Sequence, residues 1–186
     1  MKRAIIVHGW GGNPQGNWFP WLKKELEARN VFVEVPEMPN TDAPEIKAWV
    51  GHLAKFVDEE DENILIGHSM GVQAVLRCIE KASVDVKIKG AVLVAGFITS
   101  LTEEITKNPQ DIEIARPWLE TPINLDKVRA KTGKIISIVS DDDQYIPEEN
   151  WEAFRKLGEV VIQHGNGHIQ NQQEKDVLNS VLKVMN

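Results

Sequence analysis

The stretch Ile64-Leu65-Ile66-Gly67-His68-Ser69-Met70-Gly71 decides the fold class, because an apolar, β-branched run leads directly into Gly-x-Ser-x-Gly. A helix-compatible run follows at residues 72–81. A strand, a sharp turn and a helix in this order are typical of the nucleophile elbow, which lifts a serine out of the sheet. Side chains two positions before or after Ser69 would clash across the strained turn, which explains the two glycines.

Short apolar runs alternate with helical patterns along the chain. Near-continuous apolar strands in such an alternation indicate a parallel sheet covered on both faces. We therefore predict one α/β domain over residues 1–186, with about six parallel strands and helices on both faces. Strands are predicted at residues 4–7, 31–35, 63–66, 90–95, 135–139 and 160–163. Helices are predicted at residues 17–29, 70–82, 147–157 and 171–185. A further helix is expected to follow the N-cap candidates 41–42 and to extend as far as residue 57.

The segment 97–132 breaks this alternation. Ser100 and Glu103 fit a capping box for one short helix. Pro109, Pro117 and Pro122 are expected to interrupt any longer element. We interpret 97–132 as an excursion over the carboxyl edge of the sheet, either a small lid or a connector.

Charge and composition exclude several classes of function. The net charge is −7 and no basic stripe is visible, so nucleic acid is not expected as a partner. No apolar run is long enough for a signal peptide or a membrane span, which predicts a cytoplasmic protein without membrane contact. The single cysteine, Cys78, lies on the helix after Ser69 and is expected to be a buried packing residue.

A serine hydroxyl needs a general base and an orienting acid, and the loops after later strands offer both. Asp141, Asp142 and Asp143 follow the strand at 135–139. We choose Asp143 as the acid because it precedes an x-x-apolar-Pro turn, and we keep Asp142 as the alternative. His168 follows the last strand in a glycine-rich loop and is the candidate base, whereas His164 is expected to be structural. Helical metal-ligand spacing between the two histidines is broken by Gly-Asn-Gly, so no metal is predicted.

Acyl transfer also needs hydrogen-bond donors for the developing oxyanion. The backbone N–H of Met70, directly after the serine, is one candidate. The other is the N–H of Trp10, in the loop His8-Gly9-Trp10-Gly11-Gly12 after the first strand. Pro14 stands where a dinucleotide fingerprint needs a third glycine or alanine, so no cofactor is expected.

At this point the chain resembles the α/β-hydrolase superfamily, because its oxyanion loop, elbow, acid and base fall in that order. Further stretches are similar to the small serine hydrolases of the YdeN and retinoblastoma-binding-protein-nine type, over nearly the whole chain. This resemblance implies a six-stranded parallel sheet and a triad of Ser69, His168 and Asp143. The stretches are Trp18-x-x-Trp21-Leu22-Lys23-Lys24-Glu25-Leu26, Met38-Pro39, Arg116-Pro117-Trp118 and Ser140-Asp141-Asp142-Asp143-x-Tyr145-Ile146-Pro147.

The sequence thus predicts a metal-independent serine hydrolase that cleaves small acyl esters through an acyl-enzyme. Trp10, Trp18 and Phe19 are expected near the mouth, as parts of an apolar acyl pocket. Peptidase or thioesterase chemistry would use the same groups. Gln144 stands where many relatives have proline, which keeps Asp142 open as the acid. A binding module on a hydrolase scaffold is the alternative from another class, since fold does not determine function.

Overall fold

Six parallel strands form one sheet in the order β2-β1-β3-β4-β5-β6, as predicted. The structure is a computed structural model that describes the backbone of residues 1–186 and all side chains except that of residue 106. The strands are β1 (Lys2–Val7), β2 (Phe32–Glu34), β3 (Glu62–His68), β4 (Ile88–Val94), β5 (Thr132–Ser140) and β6 (Glu159–Gln163). The helices are α1 (Phe19–Glu27), α2 (Ile46–Leu53), α3 (Met70–Lys81), α4 (Glu103–Thr106), α5 (Pro109–Glu120), α6 (Leu125–Lys131), α7 (Trp151–Leu157) and α8 (Lys175–Met185).

Helices cover both faces of the sheet, as expected for near-continuous apolar strands. Successive side chains of a strand point to opposite faces. In β1, Ile5 and Val7 pack in the cluster that holds α2, α3 and α7, whereas Ala4 and Ile6 pack in the cluster that holds α1 and α8. Both sets are fully buried, which explains why β1 is apolar at four consecutive positions. No helix among the described residues is both long and apolar enough to cross a membrane.

The segment 97–132 contains three helices, and the prediction that its prolines interrupt any longer element is wrong for Pro117, which lies inside α5. Pro122 does separate two helices, since it lies between α5 and α6. Helix α5 has 12 residues and begins at Pro109, where a missing N–H removes no helical hydrogen bond. Pro117 lies near the carboxyl end of the same helix, and its carbonyl still accepts from the N–H of Thr121. Pro109 therefore costs no helical hydrogen bond, whereas Pro117 removes the N–H that would donate to the carbonyl of Glu113. This loss is confined to the last turns of α5.

Two other local predictions are also wrong. Helix α4 has Thr102 at its N-cap and not Ser100, and no side chain caps it. The hydroxyl of Thr102 instead donates to the carbonyl of Gln144 at 2.6 Å, next to the predicted acid. Helix α2 begins only at Ile46, since residues 41–42 themselves lie in a turn and 44–45 have no regular structure.

Buried polar side chains fasten both ends of the excursion. The Oδ1 atom of Asn150 accepts from the backbone N–H of Ile98 at 2.7 Å. The guanidinium of Arg77, on α3, donates to the carbonyls of Trp118 and Thr121 at 3.0 and 2.7 Å. Arg77 and Asn150 are both buried. The excursion is therefore tied to the helix that follows the elbow and to the start of α7.

Candidate active site

Ser69 lies at a strained turn between β3 and α3. Its φ and ψ are 54° and −122°, a conformation that non-glycine residues rarely adopt. A Cβ on Gly71 would lie 2.4 Å from the Val7 carbonyl oxygen, and one on Gly67 would lie 2.8 Å from Gly71. The two glycines are thus required by close backbone approach, as the sequence pattern indicated, and Ser69 opens to a cavity.

Asp143 and His168 are joined by a hydrogen bond of 2.8 Å between Oδ2 and Nδ1. Both side chains are nearly enclosed, with 2% and 6% of their surface exposed. The second oxygen of Asp143 accepts from the backbone N–H groups of Tyr145 and Ile146 at 2.9 and 3.1 Å. The carboxylate is therefore fixed by its own loop and directed at the imidazole.

The two neighbouring aspartates have different partners. Asp142 accepts from the hydroxyl of Ser140 at 2.7 Å and from the N–H of Gly167 at 2.8 Å, and these hydrogen bonds lower the pKa of its carboxyl. Asp141 is paired with His164 at 2.6 Å, an interaction that lowers its pKa as well. Among the three, only Asp143 contacts His168 in the part of the chain that the structure describes.

The loop after β1 lies against Ser69. A Cβ added to Gly9 would lie 2.8 Å from the Cβ of Ser69. His8 supports this loop: its Nε2 accepts from the N–H of Met38 at 3.1 Å, so its Nδ1 carries the hydrogen that is donated to the Gly9 carbonyl at 2.8 Å. Burial lowers the pKa of His8, which favours this neutral form.

A cavity of about 650 Å³ joins these groups. Ser69 and His168 line it, together with the predicted oxyanion residues Trp10 and Met70. Phe19 also lines it, at a position where a substrate contact was predicted. The other apolar lining residues are Phe97, Leu101, Ile105 and Ile146.

Trp18 does not line the cavity, contrary to the prediction. It is fully buried, and its indole N–H donates to the backbone carbonyl of Ile169 at 3.0 Å. Its ring also meets those of Phe19 and His68 edge-on. Phe19 is buried to a similar degree but lines the cavity, whereas Trp18 supports the loop that carries His168.

Sequence reasoning missed the part of the cavity wall that the excursion and the acid loop supply. Tyr145 meets the His168 ring edge-on at 5.0 Å, and it follows Asp143 by two residues. Asp111, in the first turn of α5, also lines the cavity. The position of Tyr145 could have been inferred from its place after a strand, whereas Asp111 depends on how the excursion folds back.

The donor groups of the site suit acid–base chemistry. Among the described residues, no three His, Cys, Asp or Glu side chains are grouped so that they could hold a metal ion. Cys78 is buried away from the cavity lining, and burial raises the pKa of its thiol to about 11. As predicted, Cys78 is a packing residue, and its thiol is a poor nucleophile near neutral pH.

Comparison with known proteins agrees with this chemistry. The profile of the family described as Serine hydrolase matches residues 4–186. The chain belongs to this serine hydrolase family. It is 30% identical over 178 residues to YdeN of Bacillus subtilis (strain 168), covering 92% of this chain and 88% of that relative. Serine hydrolase RBBP9 of Rattus norvegicus is 26% identical over 188 residues, covering 98% and 95%.

Solved structures agree on the fold of this serine hydrolase. The crystal structure of the B. subtilis ydeN product has a TM-score of 0.87 at 24% identity, covering 100% of this chain and 99% of that one. Est1E from Butyrivibrio proteoclasticus, with ferulic acid bound, has a TM-score of 0.75 at 18% identity, covering 100% and 88%. The predicted α/β-hydrolase fold is therefore confirmed.

Proposed function

We propose that Ser69, His168 and Asp143 form a catalytic triad that hydrolyses esters of small, largely apolar acyl groups. The observation that carries this proposal is the enclosed 2.8 Å contact between Asp143 and His168, beside a cavity that both Ser69 and His168 line. An ionised carboxylate only accepts hydrogen bonds, so Nδ1 of His168 carries the hydrogen and Nε2 is free to take a proton. This is the tautomer that a general base needs.

In the first step, the hydroxyl oxygen of Ser69 attacks the ester carbonyl while Nε2 of His168 takes its proton. The tetrahedral intermediate collapses as the C–O bond to the alcohol breaks, and His168 returns the proton to the leaving oxygen. Water then attacks the acyl-enzyme by the same route, which releases the acid and restores Ser69. Asp143 stabilises the imidazolium that forms twice in each cycle.

Two backbone N–H groups are proposed to bind the oxyanion. Met70 is the first residue of α3, so its N–H has no partner within the helix and benefits from the helix dipole. The Gly9 carbonyl accepts from Nδ1 of His8, and in a trans peptide the next N–H points the opposite way. The N–H of Trp10 is therefore directed away from His8, in a residue that lines the cavity.

The cavity supports a substrate with an apolar acyl part. Phe19, Phe97 and Ile146 are almost fully buried, but they line the same cavity as Ser69 and make that part of its wall apolar. Leu101 and Ile105 come from the start of the excursion, which we propose acts as a small lid over this pocket within a single domain. A volume of about 650 Å³ lies within the range typical of small-molecule sites.

A fluorophosphonate probe tests the chemistry directly. We expect the wild-type protein to be labelled at Ser69, and Ser69→Ala to remain unlabelled at equal folded concentration. His168→Ala should lose hydrolysis of short p-nitrophenyl esters by about 10⁴-fold or more. A folded wild-type sample that neither labels nor hydrolyses would identify a binding module on a hydrolase scaffold instead.

Matched leaving groups separate ester from amide chemistry. The same short acyl group is presented as a p-nitrophenyl ester, a p-nitroanilide and a thioester, and kcat/KM is measured for each. An esterase is supported if the ester and the thioester are cleaved in proportion to their reactivity in solution and the p-nitroanilide is not cleaved. A preferred anilide would assign peptidase chemistry to the same residues.

A further inference from the structure

Two buried side chains hold the backbone of the loop that carries His168. The imidazole of His68 contacts the carbonyl oxygen of His168, with 3.0 Å between Nε2 and oxygen. The indole N–H of Trp18 donates to the next carbonyl, that of Ile169, at 3.0 Å. Two consecutive carbonyls are thus bound by ring N–H groups from elements far away in the sequence.

The protonation state of His68 follows from its partner. A carbonyl oxygen can only accept, so Nε2 of His68 must be the nitrogen that carries the hydrogen. Burial lowers the pKa of His68 to about 3, and the ring therefore stays neutral with a single hydrogen. His68 cannot replace His168 as a base near neutral pH, and its position in the elbow strand points to a structural task.

Ile169 shows why the loop needs to be held. Its φ is +52°, in the left-handed region that is unfavourable for a β-branched residue. Such a conformation persists only where the surroundings impose it. Ile169 is fully buried, and its N–H also donates to the carbonyl of Asn166. Without its partners, the loop would relax and carry the His168 ring with it.

We propose that His68 and Trp18 are positioning residues that set the base against the nucleophile. His68 directly precedes Ser69, so its hydrogen bond fixes the distance between the elbow and the backbone of His168. Trp18 holds Ile169 and packs edge-on against the His68 ring, which keeps that ring in place. The inference rests on the proposed function, because it takes His168 to be the base.

The test compares His68→Phe and Trp18→Phe with the wild-type protein. Each replacement keeps an aromatic ring and removes one ring N–H. We expect kcat to fall by about 10-fold to 100-fold while KM changes less than threefold, because the base is misplaced after the substrate has bound. His68→Gln, whose amide can reach the same carbonyl, should restore kcat to within about fivefold.

A matched control is Trp118→Phe, which removes the indole hydrogen bond to the carbonyl of Pro44 at 2.9 Å but does not touch the base loop. It should lower stability in urea without changing kcat more than about twofold. A second readout is the downfield proton resonance of the His168 Nδ1–H in the Asp143 contact. That resonance should be lost or shifted in His68→Phe and kept in Trp118→Phe.

Folded His68→Phe and Trp18→Phe proteins with wild-type kcat would overturn the proposal, as would a rise in KM alone. If Trp118→Phe lowered kcat as much, the effect would be general loosening and the proposal would again fail. Should His68→Phe not fold, Trp18→Phe alone decides by the same criteria. Failure of the proposed function is seen separately, as a wild-type protein that neither reacts with fluorophosphonate nor depends on His168.

Discussion

Asp142 accepts the backbone N–H of Gly167 at 2.8 Å, one residue before the pair formed by Asp143 and His168. The loops after β5 and β6 are thus joined at adjacent positions.

Asp143→Asn should lower kcat/KM by about 10³-fold to 10⁴-fold, because an amide disturbs the tautomer of His168. Asp142→Asn keeps an oxygen that can accept from Gly167 and should cost less than about tenfold. Esterase assays decide, and the reverse ranking would move the acid to Asp142.

The close contact between Gly9 and Ser69 predicts a strong effect of one methyl group. In Gly9→Ala, the new Cβ would lie 2.8 Å from the Cβ of Ser69, so the loop or the elbow must move. We expect kcat/KM to fall by about 10²-fold to 10³-fold, the size of losing one oxyanion donor. Gly51→Ala is the control and should keep full activity, because its new Cβ on α2 would meet nothing within 4 Å beyond its chain neighbours and the backbone of its own helix. An active Gly9→Ala would contradict the assignment of this loop.

Charge in the cavity predicts selectivity against anionic substrates. Asp42, Glu104 and Asp111 line it, and its described lining contains no lysine or arginine. We expect neutral esters to be cleaved faster than matched esters with a free carboxylate. Asp111→Asn should raise kcat/KM for the anionic ester by about threefold to tenfold, since a unit charge at about 8 Å and a dielectric constant near 40 contributes about 1 kcal/mol. Glu113→Gln, at an exposed position on the same helix outside the cavity, should change this kcat/KM less than twofold. Equal increases in both variants would contradict a specific effect of the charge of Asp111 in the cavity.

The buried neutral histidines predict a pH-dependent stability. The pKa of His68 is lowered to about 3 and that of His8 is also lowered, mainly by burial. Below about pH 6.5 the unfolded chain binds protons that the folded chain does not. The free energy of unfolding therefore falls as the pH is lowered, by up to about 1.4 kcal/mol per pH unit for each histidine. Urea unfolding between pH 7.5 and 5 avoids the titration of the aspartates. His68→Gln should show a shallower dependence, and an unchanged slope would argue against a buried neutral His68.

Arg77 predicts how firmly the far end of the excursion is attached. Its guanidinium donates to the side chain of Gln73 and to the carbonyls of Trp118 and Thr121, and burial lowers its pKa. Arg77→Met leaves these acceptors unpaired and should lower the free energy of unfolding by about 2–4 kcal/mol. Arg116→Met, at an exposed position on α5, should change it by less than about 0.5 kcal/mol. Urea unfolding measures both, and a loss below about 1 kcal/mol in Arg77→Met would count against this anchor.

The main features of the fold and the candidate site could be predicted because each depends on local sequence. Ser69 follows an apolar strand and is flanked by glycines, whereas Asp143 and His168 come directly after later strands. The carboxyl ends of parallel strands meet at one edge, so these residues were expected together. Local sequence distinguishes the three aspartates less well, since their partners are set by the shape of the loop 164–168 and not by the acid loop alone.

Other features depend on tertiary contacts that no local pattern records. The place of Trp18 in the sequence, just before α1, does not distinguish a pocket residue from a buried one. Its indole can be buried because its N–H donates to the carbonyl of Ile169. Pro117 is unfavourable inside a helix, yet α5 forms with Trp118 buried beside it. The positive φ of Ile169 could not be inferred from an isoleucine, because only surrounding structure imposes it.

The order of strands has a practical consequence for handling this protein. The loop after β1 and the loop after β6 come from opposite ends of the chain. Strand β4 lies between β3, which precedes Ser69, and β5, which precedes the proposed acid Asp143. Reaction of Ser69 with a fluorophosphonate, on the proposed mechanism, therefore requires β1, β3, β4, β5 and β6 to be assembled. Labelling would count molecules in which these five strands are assembled, and fragments lacking β1 or β6 should be silent even where they retain Ser69.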